Sequence, residues 1–234
     1  MAIVLIVLLV LIFGVLGYYS HQAAKKRRAA LSQLADSLGW VYTQARDHGH
    51  DERFAQFDLF RRGSNRFAYN TLVGQIETPL GLQSAQMGDY HYATRSTDSK
   101  GKSKTTHHHR SYLVVEIPLS GVPSLTIRPE HFFDRVGSFF GFDDIDFESA
   151  EFSDKFHVKS QDKRFAYDLV HPRMMEFLLN RRGPIIDVQQ GWLCIQEGGI
   201  WKPEEFLTHL QWSQEFFSLW PQHLIADFES KARV

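Results

Sequence analysis

The chain has 234 residues, 43% hydrophobic and 14% aromatic, and its 26 Lys and Arg nearly balance its 27 Asp and Glu for a net charge of −1. That balance excludes a strongly basic nucleic-acid-binding domain, and the apolar content excludes a disordered polar chain. The one cysteine, Cys194, rules out an internal disulfide and agrees with a reducing compartment.

Ala2 to Tyr19 is a run of Ile, Val and Leu without a charge. At ~1.5 Å of rise per residue it spans roughly 27 Å, close to the thickness of a hydrocarbon core, so residues 1–21 are predicted to form a transmembrane anchor. Tyr18 and Tyr19 suit the headgroup region, and Lys25, Lys26, Arg27 and Arg28 follow as membrane-surface charge. Positive charge stays on the cytoplasmic side. The pattern therefore predicts a retained single-pass protein of the inner (plasma) membrane, N-terminus outside and C-terminal domain cytoplasmic, with the lipid bilayer as a partner. No cysteine lies near the run, which argues against a lipoprotein anchor.

Residues 22–39 are predicted as a juxtamembrane helix, open to continuing the membrane helix without a break: Leu31, Leu34 and Leu38 recur at helical spacing, and Gly39 closes it. Trp40 to Tyr42 begins a β stretch and Gln44 to Glu52 a loop. Alternation and glycine punctuation predict strands over Gln56–Arg61, Arg66–Gly74, Gly81–Met87 and Tyr90–Thr94, an antiparallel meander. The Ser/Thr/Lys/His tract at 96–109 is too polar to order itself and is expected to be a mobile loop. Arg110–Ile117 and Ser124–Arg128 resume the sheet, and Phe132 to Phe147 is dense in Phe. Phe152–Lys159 alternates as a strand. Asp162 is placed to cap a helix through Val170, Pro172 forces a fresh start, and Arg173–Asn180 forms the next helix. Ile185–Val188 and Trp192–Gln196 are two short strands. Pro203 opens a last helix that Pro221 interrupts.

Leu59-Phe60-Arg61-Arg62-Gly63 with Arg66 and Asn70, Gly74, Asp89-Tyr90-His91-Tyr92, Ile127-Arg128-Pro129-Glu130, Phe140 through Phe147, and Phe152-Ser153 through Phe165-Ala166 form an ordered series. In it the chain resembles a family of uncharacterised bacterial single-span membrane proteins. The resemblance covers most of the chain after residue 55. It implies a membrane-tethered α+β domain and carries no activity and no catalytic residues.

His107, His108 and His109 are metal-binding residue types, but neighbours on one loop cannot all face one ion, and no Cys/His pair at structural-zinc spacing accompanies them. They are read as solvated. Asp143, Asp144, Asp146 and Glu148 lack the register of a calcium loop, and their alternation with Ile145 and Phe147 reads as a half-buried strand with a wet face. Cys194, between Leu193 and Ile195, is read as buried and inert. No nucleophile elbow or phosphate-binding glycine motif is present. Arg61, Arg62, Arg66, Arg128 and His131 are read as ordinary strand-face charge, with a basic surface facing the anionic inner leaflet as the alternative. Met174, Met175, Phe177, Leu178 and Leu179 are read as core, with an exposed partner groove as the alternative.

The sequence thus predicts an α+β protein: an N-terminal transmembrane helix, then a mainly antiparallel β-sheet domain over 40–234 with helices concentrated toward the C-terminus. Its expected role is protein binding or scaffolding at the inner membrane, with no catalytic residues, no metal, no cofactor and no nucleic acid. The alternative is a hydrolase-like enzyme with a site assembled from Asp89, His91 and Glu130.

Overall fold

The computed structural model describes residues 2–99, 101–130, 144–180 and 183–231. Its first element is a helix, α1 (Ala2–Leu38), that runs 37 residues without a break. Gly39, at φ 67°, ends it in the left-handed conformation that glycine adopts freely, and Trp40 N–H returns to Ala35 C=O at 2.8 Å.

Eight strands follow and form one sheet: β1 (Val41–Thr43), β2 (Ser64–Thr78), β3 (Gly81–Thr97), β4 (Ser103–Glu116), β5 (Leu125–Pro129), β6 (Phe156–Ser160), β7 (Ile185–Gln189) and β8 (Trp192–Gln196). Their order across the sheet is β1-β2-β3-β4-β8-β7-β5-β6, and every pairing is antiparallel. Short helices α2 (His50–Arg53) and α3 (Asp58–Arg61) precede β2; α4 (Ala150–Lys155) leads into β6; α5 (Lys163–Leu169) and α6 (Pro172–Asn180) lie between β6 and β7. Helices α7 (Pro203–Ser218) and α8 (Gln222–Lys231) come last, separated by Pro221.

Side chains alternate across a strand, so the sheet has two distinct faces. On one, Leu72, Met87, Leu113 and Ile195 join Leu31 and Ala35 of α1 and the aromatic-rich faces of α5 to α8 in the main core. Phe165 meets Trp220 and Phe228, and Phe177 meets Trp212, all within 6.3 Å between ring centroids. On the other face, Phe54, Phe57, Leu59 and Phe60 close over Tyr90, Tyr92, Tyr112 and Cys194 in a second core. The α+β class, the antiparallel sheet and the C-terminal helices are as the sequence implies.

Four expectations are corrected. The first concerns the membrane: no helix among the described residues is long and apolar enough to cross one. The transmembrane anchor, the single-pass inner-membrane placement and its orientation therefore fall. The apolar leader is not a separate span. It continues into the Lys25–Arg28 turn and on to Leu31, Ala35 and Leu38, which dock on the sheet domain, so charge and packing lie within one helix. Leu11, Phe13 and Leu16 of its first half stand exposed.

The second concerns 96–109. Thr97 pairs with Ser103 and Ala93 with His107 in an extension of the β3–β4 hairpin, so residues 103–109 are strand rather than loop. Pairing to β3 satisfies the backbone, and β-branched Thr105 and Thr106 and the stacked His rings suit a strand despite their polarity. The other two are local. Asp58–Arg61 is helical, and the alternating stretch after residue 149 divides into α4 and β6 at Phe156. There Ser149 caps the helix by accepting from Phe152 N–H. The Phe-rich segment 132–143, His131 and Asp143 lie outside the described residues.

Candidate functional site

The residues singled out in the sequence are placed by the period-2 geometry of β2, β3 and β4. Tyr69, Asp89 and Ser111 form one cross-strand row, and Phe67, His91 and His109 the next, all on the face that carries Met87 and Leu113. The first row meets α1. Asp89 is 1% exposed and accepts four hydrogen bonds, from Arg27 Nε (3.1 Å) and Nη2 (2.7 Å), Asn70 Nδ2 (3.0 Å) and Ser111 Oγ (2.7 Å). Ser111 Oγ in turn accepts from Trp201 N–H at 2.9 Å, and Arg27 Nη1 donates to Trp201 C=O at 2.5 Å. A carboxylate with both oxygens saturated by a bidentate guanidinium, an amide and a hydroxyl has no lone pair left for a substrate proton. It is a latch that pins α1 to the sheet.

His91 lies two residues on and is stacked on Phe67 at 4.5 Å. Its Nδ1 donates to Asn65 C=O (2.9 Å), so its Nε2 is the acceptor for His107 Nδ1–H at 3.0 Å. Tyr69 OH bonds His109 Nδ1 at 2.8 Å, and burial is the first cause that lowers the pKa of His109. His108 points to the opposite face and stacks on Tyr92 at 4.6 Å. The three consecutive histidines therefore divide between faces. Among the described residues, no group of three or more His, Cys, Asp or Glu is placed to hold a metal ion.

Glu130 does not join Asp89 and His91. It follows β5, four strand spacings or roughly 19 Å across the sheet from β3. There it pairs with His157, which also lies 3.3 Å from Asp144. Cys194 is buried and free, and burial raises its pKa well above the ordinary thiol range. Arg62 pairs with Asp58 and Arg66 with Asp51, both at 2.7 Å, and Arg128 is buried, so these arginines make no common basic surface. Of the residues read as membrane-surface contacts, Tyr18, Tyr19, Lys25 and Lys26 are exposed. Arg28 Nε bonds its own helix at Ala24 C=O (3.2 Å), and Arg27 is committed to the latch.

A groove of about 850 Å³ opens where the chain between β5 and α4 crosses α5 and α6. Its floor is apolar: Phe147, Tyr167, Val170, Met175 and Leu179. Phe147 holds Tyr167 edge-on at 5.3 Å, and Tyr167 OH bonds Asp146 C=O at 3.0 Å. Its rim is acidic, with Asp146, Glu148 and Glu176, and with Glu151, which pairs with Lys155 at 2.7 Å. Local sequence explains both. Ile145 and Phe147 are buried while Asp144, Asp146 and Glu148 are exposed, the alternation expected of a strand. Among the described residues one backbone bond, Ile145 N–H to Val158 C=O at 2.9 Å, joins this stretch to the sheet edge beside the contacts of Asp144 with His157 and Lys159, and it is not a ladder strand. On α6, Met174, Phe177 and Leu178 face the core while Met175 and Leu179, at i and i+4, line the groove. Met175 and Leu179 are partly buried against the main core and also line the groove. Tyr167 and the acidic partners on separate elements had no common signal in the sequence.

No family model matches the chain, and no curated protein matches it. The fold is similar to that in the crystal structure of the mycobacterial trehalose monomycolate transport factor A, TtfA. The TM-score is 0.55 at 12% sequence identity, covering 84% of this chain and 95% of that one.

Proposed function

We propose that the chain is a non-enzymatic binding domain whose α5–α6 groove takes a basic, amphipathic segment of a protein partner. The single observation that carries this reading is the pairing of an apolar floor with an acidic rim on which Asp146, Glu148 and Glu176 stand beside Glu151, the last already paired with Lys155. An amphipathic helix buries its apolar face in such a groove and presents cations to its edges, which gives orientation and on-rate in addition to affinity. Met175 adds an adaptable surface. The enzyme reading has little to support it: Asp89 is saturated, Glu130 is on the far side of the sheet, and His91 is bonded through both ring nitrogens. The likeness to a transport factor agrees with an accessory, partner-dependent role.

The test is a fluorescence-anisotropy titration of the full chain with a synthetic Lys/Leu amphipathic peptide and with its Glu/Leu counterpart. The basic peptide binds and the acidic one does not. The Glu148→Lys/Glu176→Lys variant weakens binding about tenfold, since two rim charges reversed cost on the order of 1.4 kcal/mol together. Equal binding of both peptides, or no effect of the charge reversal, contradicts the proposal.

A further inference from the structure

We infer that a second, cationic cleft, between α1 and the β1–β2–β3 end of the sheet, binds a phosphate monoester carried on a small apolar or aromatic body. The cleft encloses about 460 Å³ and is lined by three arginines, Arg27, Arg28 and Arg46, against one carboxylate, Asp89. That volume is within the range of small-molecule sites.

The charge balance decides the ligand's sign. Asp89 is used up by Arg27, Asn70 and Ser111, so it neutralises Arg27 and nothing else. Among the described residues no ion pair joins Arg28 or Arg46 to a carboxylate, and both stand at this cleft. Each is nevertheless oriented. Arg28 is tied back to Ala24 C=O (3.2 Å), and the Arg46 guanidinium lies over the Phe67 ring, 4.6 Å from its centroid. Two guanidinium groups, one on α1 and one in the connection between β1 and α2, held without a carboxylate partner among the described residues, match a dianion. Their planar forks also fit phosphate better than an ammonium does. Beside them, Tyr69 OH and the His109 ring, bonded to each other at 2.8 Å, leave one neutral donor between them, and Phe67, Ala24 and Ile200 supply an apolar wall. This arrangement selects an anion with a hydrophobic substituent over a bare ion. It is separate from the α5–α6 groove, which is acidic.

Isothermal titration of the full chain with phenyl phosphate, inorganic phosphate, phenol and short-chain phosphatidic acid tests the inference. Phenyl phosphate is expected to bind more tightly than inorganic phosphate, and phenol not at all. Arg28→Gln and Arg46→Gln each weaken it roughly tenfold, the scale of a lost charged hydrogen bond. Arg46→Lys retains part of the binding, and Lys26→Gln, outside the cleft, leaves it unchanged. Selective, arginine-dependent binding of the short-chain lipid supports the same site with a headgroup as its source, and equal binding of phenyl phosphate supports a free ester. No binding, or binding that the two glutamine variants leave intact while their melting temperatures match the wild type, overturns it.

Discussion

Two buried side chains set the chemistry of the molecule at the scale of residues. Asp89 with Arg27 is a charge pair between the sheet and α1, and removing one partner strands the other where water reaches it poorly. Arg27 keeps 19% of its side chain exposed, so the cost is below that of a fully buried pair. Asp89→Asn is expected to destabilise the fold by about 2–4 kcal/mol in urea unfolding and to release the docked half of α1 to hydrogen exchange before the rest of the sheet. Unaltered protection at residues 27–38 would show that the pair is not the latch.

His50 is the second. It is packed among Phe54, Phe60, Tyr90 and Tyr112, and Gln86 Nε2 donates to its Nδ1 at 3.2 Å. Burial lowers its pKa to about 3 from an ordinary 6.5. Below pH 6.5 the unfolded chain takes up a proton that the folded ring refuses. Stability is therefore complete above pH 6.5 and lost as pH falls toward 3, by up to about 1.4 kcal/mol per pH unit from this group. His209, lowered to about 4 mainly by burial, acts in the same direction. His50→Phe is expected to remove about one proton's worth of slope from a plot of unfolding free energy against pH between 5 and 4. An unchanged slope would contradict a neutral, buried His50.

The scale of elements is governed by close approach. At the α1–β1–β2 junction the Trp40 ring lies directly over Gly74, and a Cβ built there would stand 2.3 Å from it, while Trp40 Nε1 donates to Gln75 C=O at 3.1 Å. Gly74→Ala must displace the indole and is expected to cost about 2–3 kcal/mol. In a double-mutant cycle with Trp40→Ala the two costs are expected to be far from additive, because the second change removes the clash that the first creates. Additivity would mean that the ring is not held there.

Much of this level was legible in the sequence. Gly39, Asp162, Pro172, Pro203 and Pro221 marked helix ends where the structure has them, because caps and ring constraints act locally. Residues 103–109 were misread because a polar composition hides a strand whose order comes from a partner strand distant in sequence. The apolar leader was misread as a span because its aliphatic run was judged alone, whereas no described helix is long and apolar enough to cross a membrane; the docking of the helix's second half through Arg27 was hidden because its carboxylate lies 62 residues away. The groove follows the same rule. Met175 and Leu179 were visible as one helix face, whereas Tyr167 and the acidic rim are joined to them only by tertiary packing.

For the whole molecule, the long sheet separates the two proposed sites. One end carries the cationic cleft under α1, and the edge beyond β6 carries the acidic groove among α4, α5 and α6. If both proposals hold, opposite charge at the separated sites is expected to keep their ligands distinct.

The central claim is that the α5–α6 groove receives a basic amphipathic segment. The most direct measurement is photo-crosslinking in cells from a residue placed at Leu179, with the captured segment identified by mass spectrometry, beside the same residue at the exposed hairpin position Leu82. The expected product is a discrete adduct from position 179 alone. It is lost when Glu148 and Glu176 are reversed in charge, and its captured segment carries net positive charge with apolar residues at helical spacing. Capture of acidic or uncharged segments, or equal yields from Leu82 and from the charge-reversed protein, would contradict it.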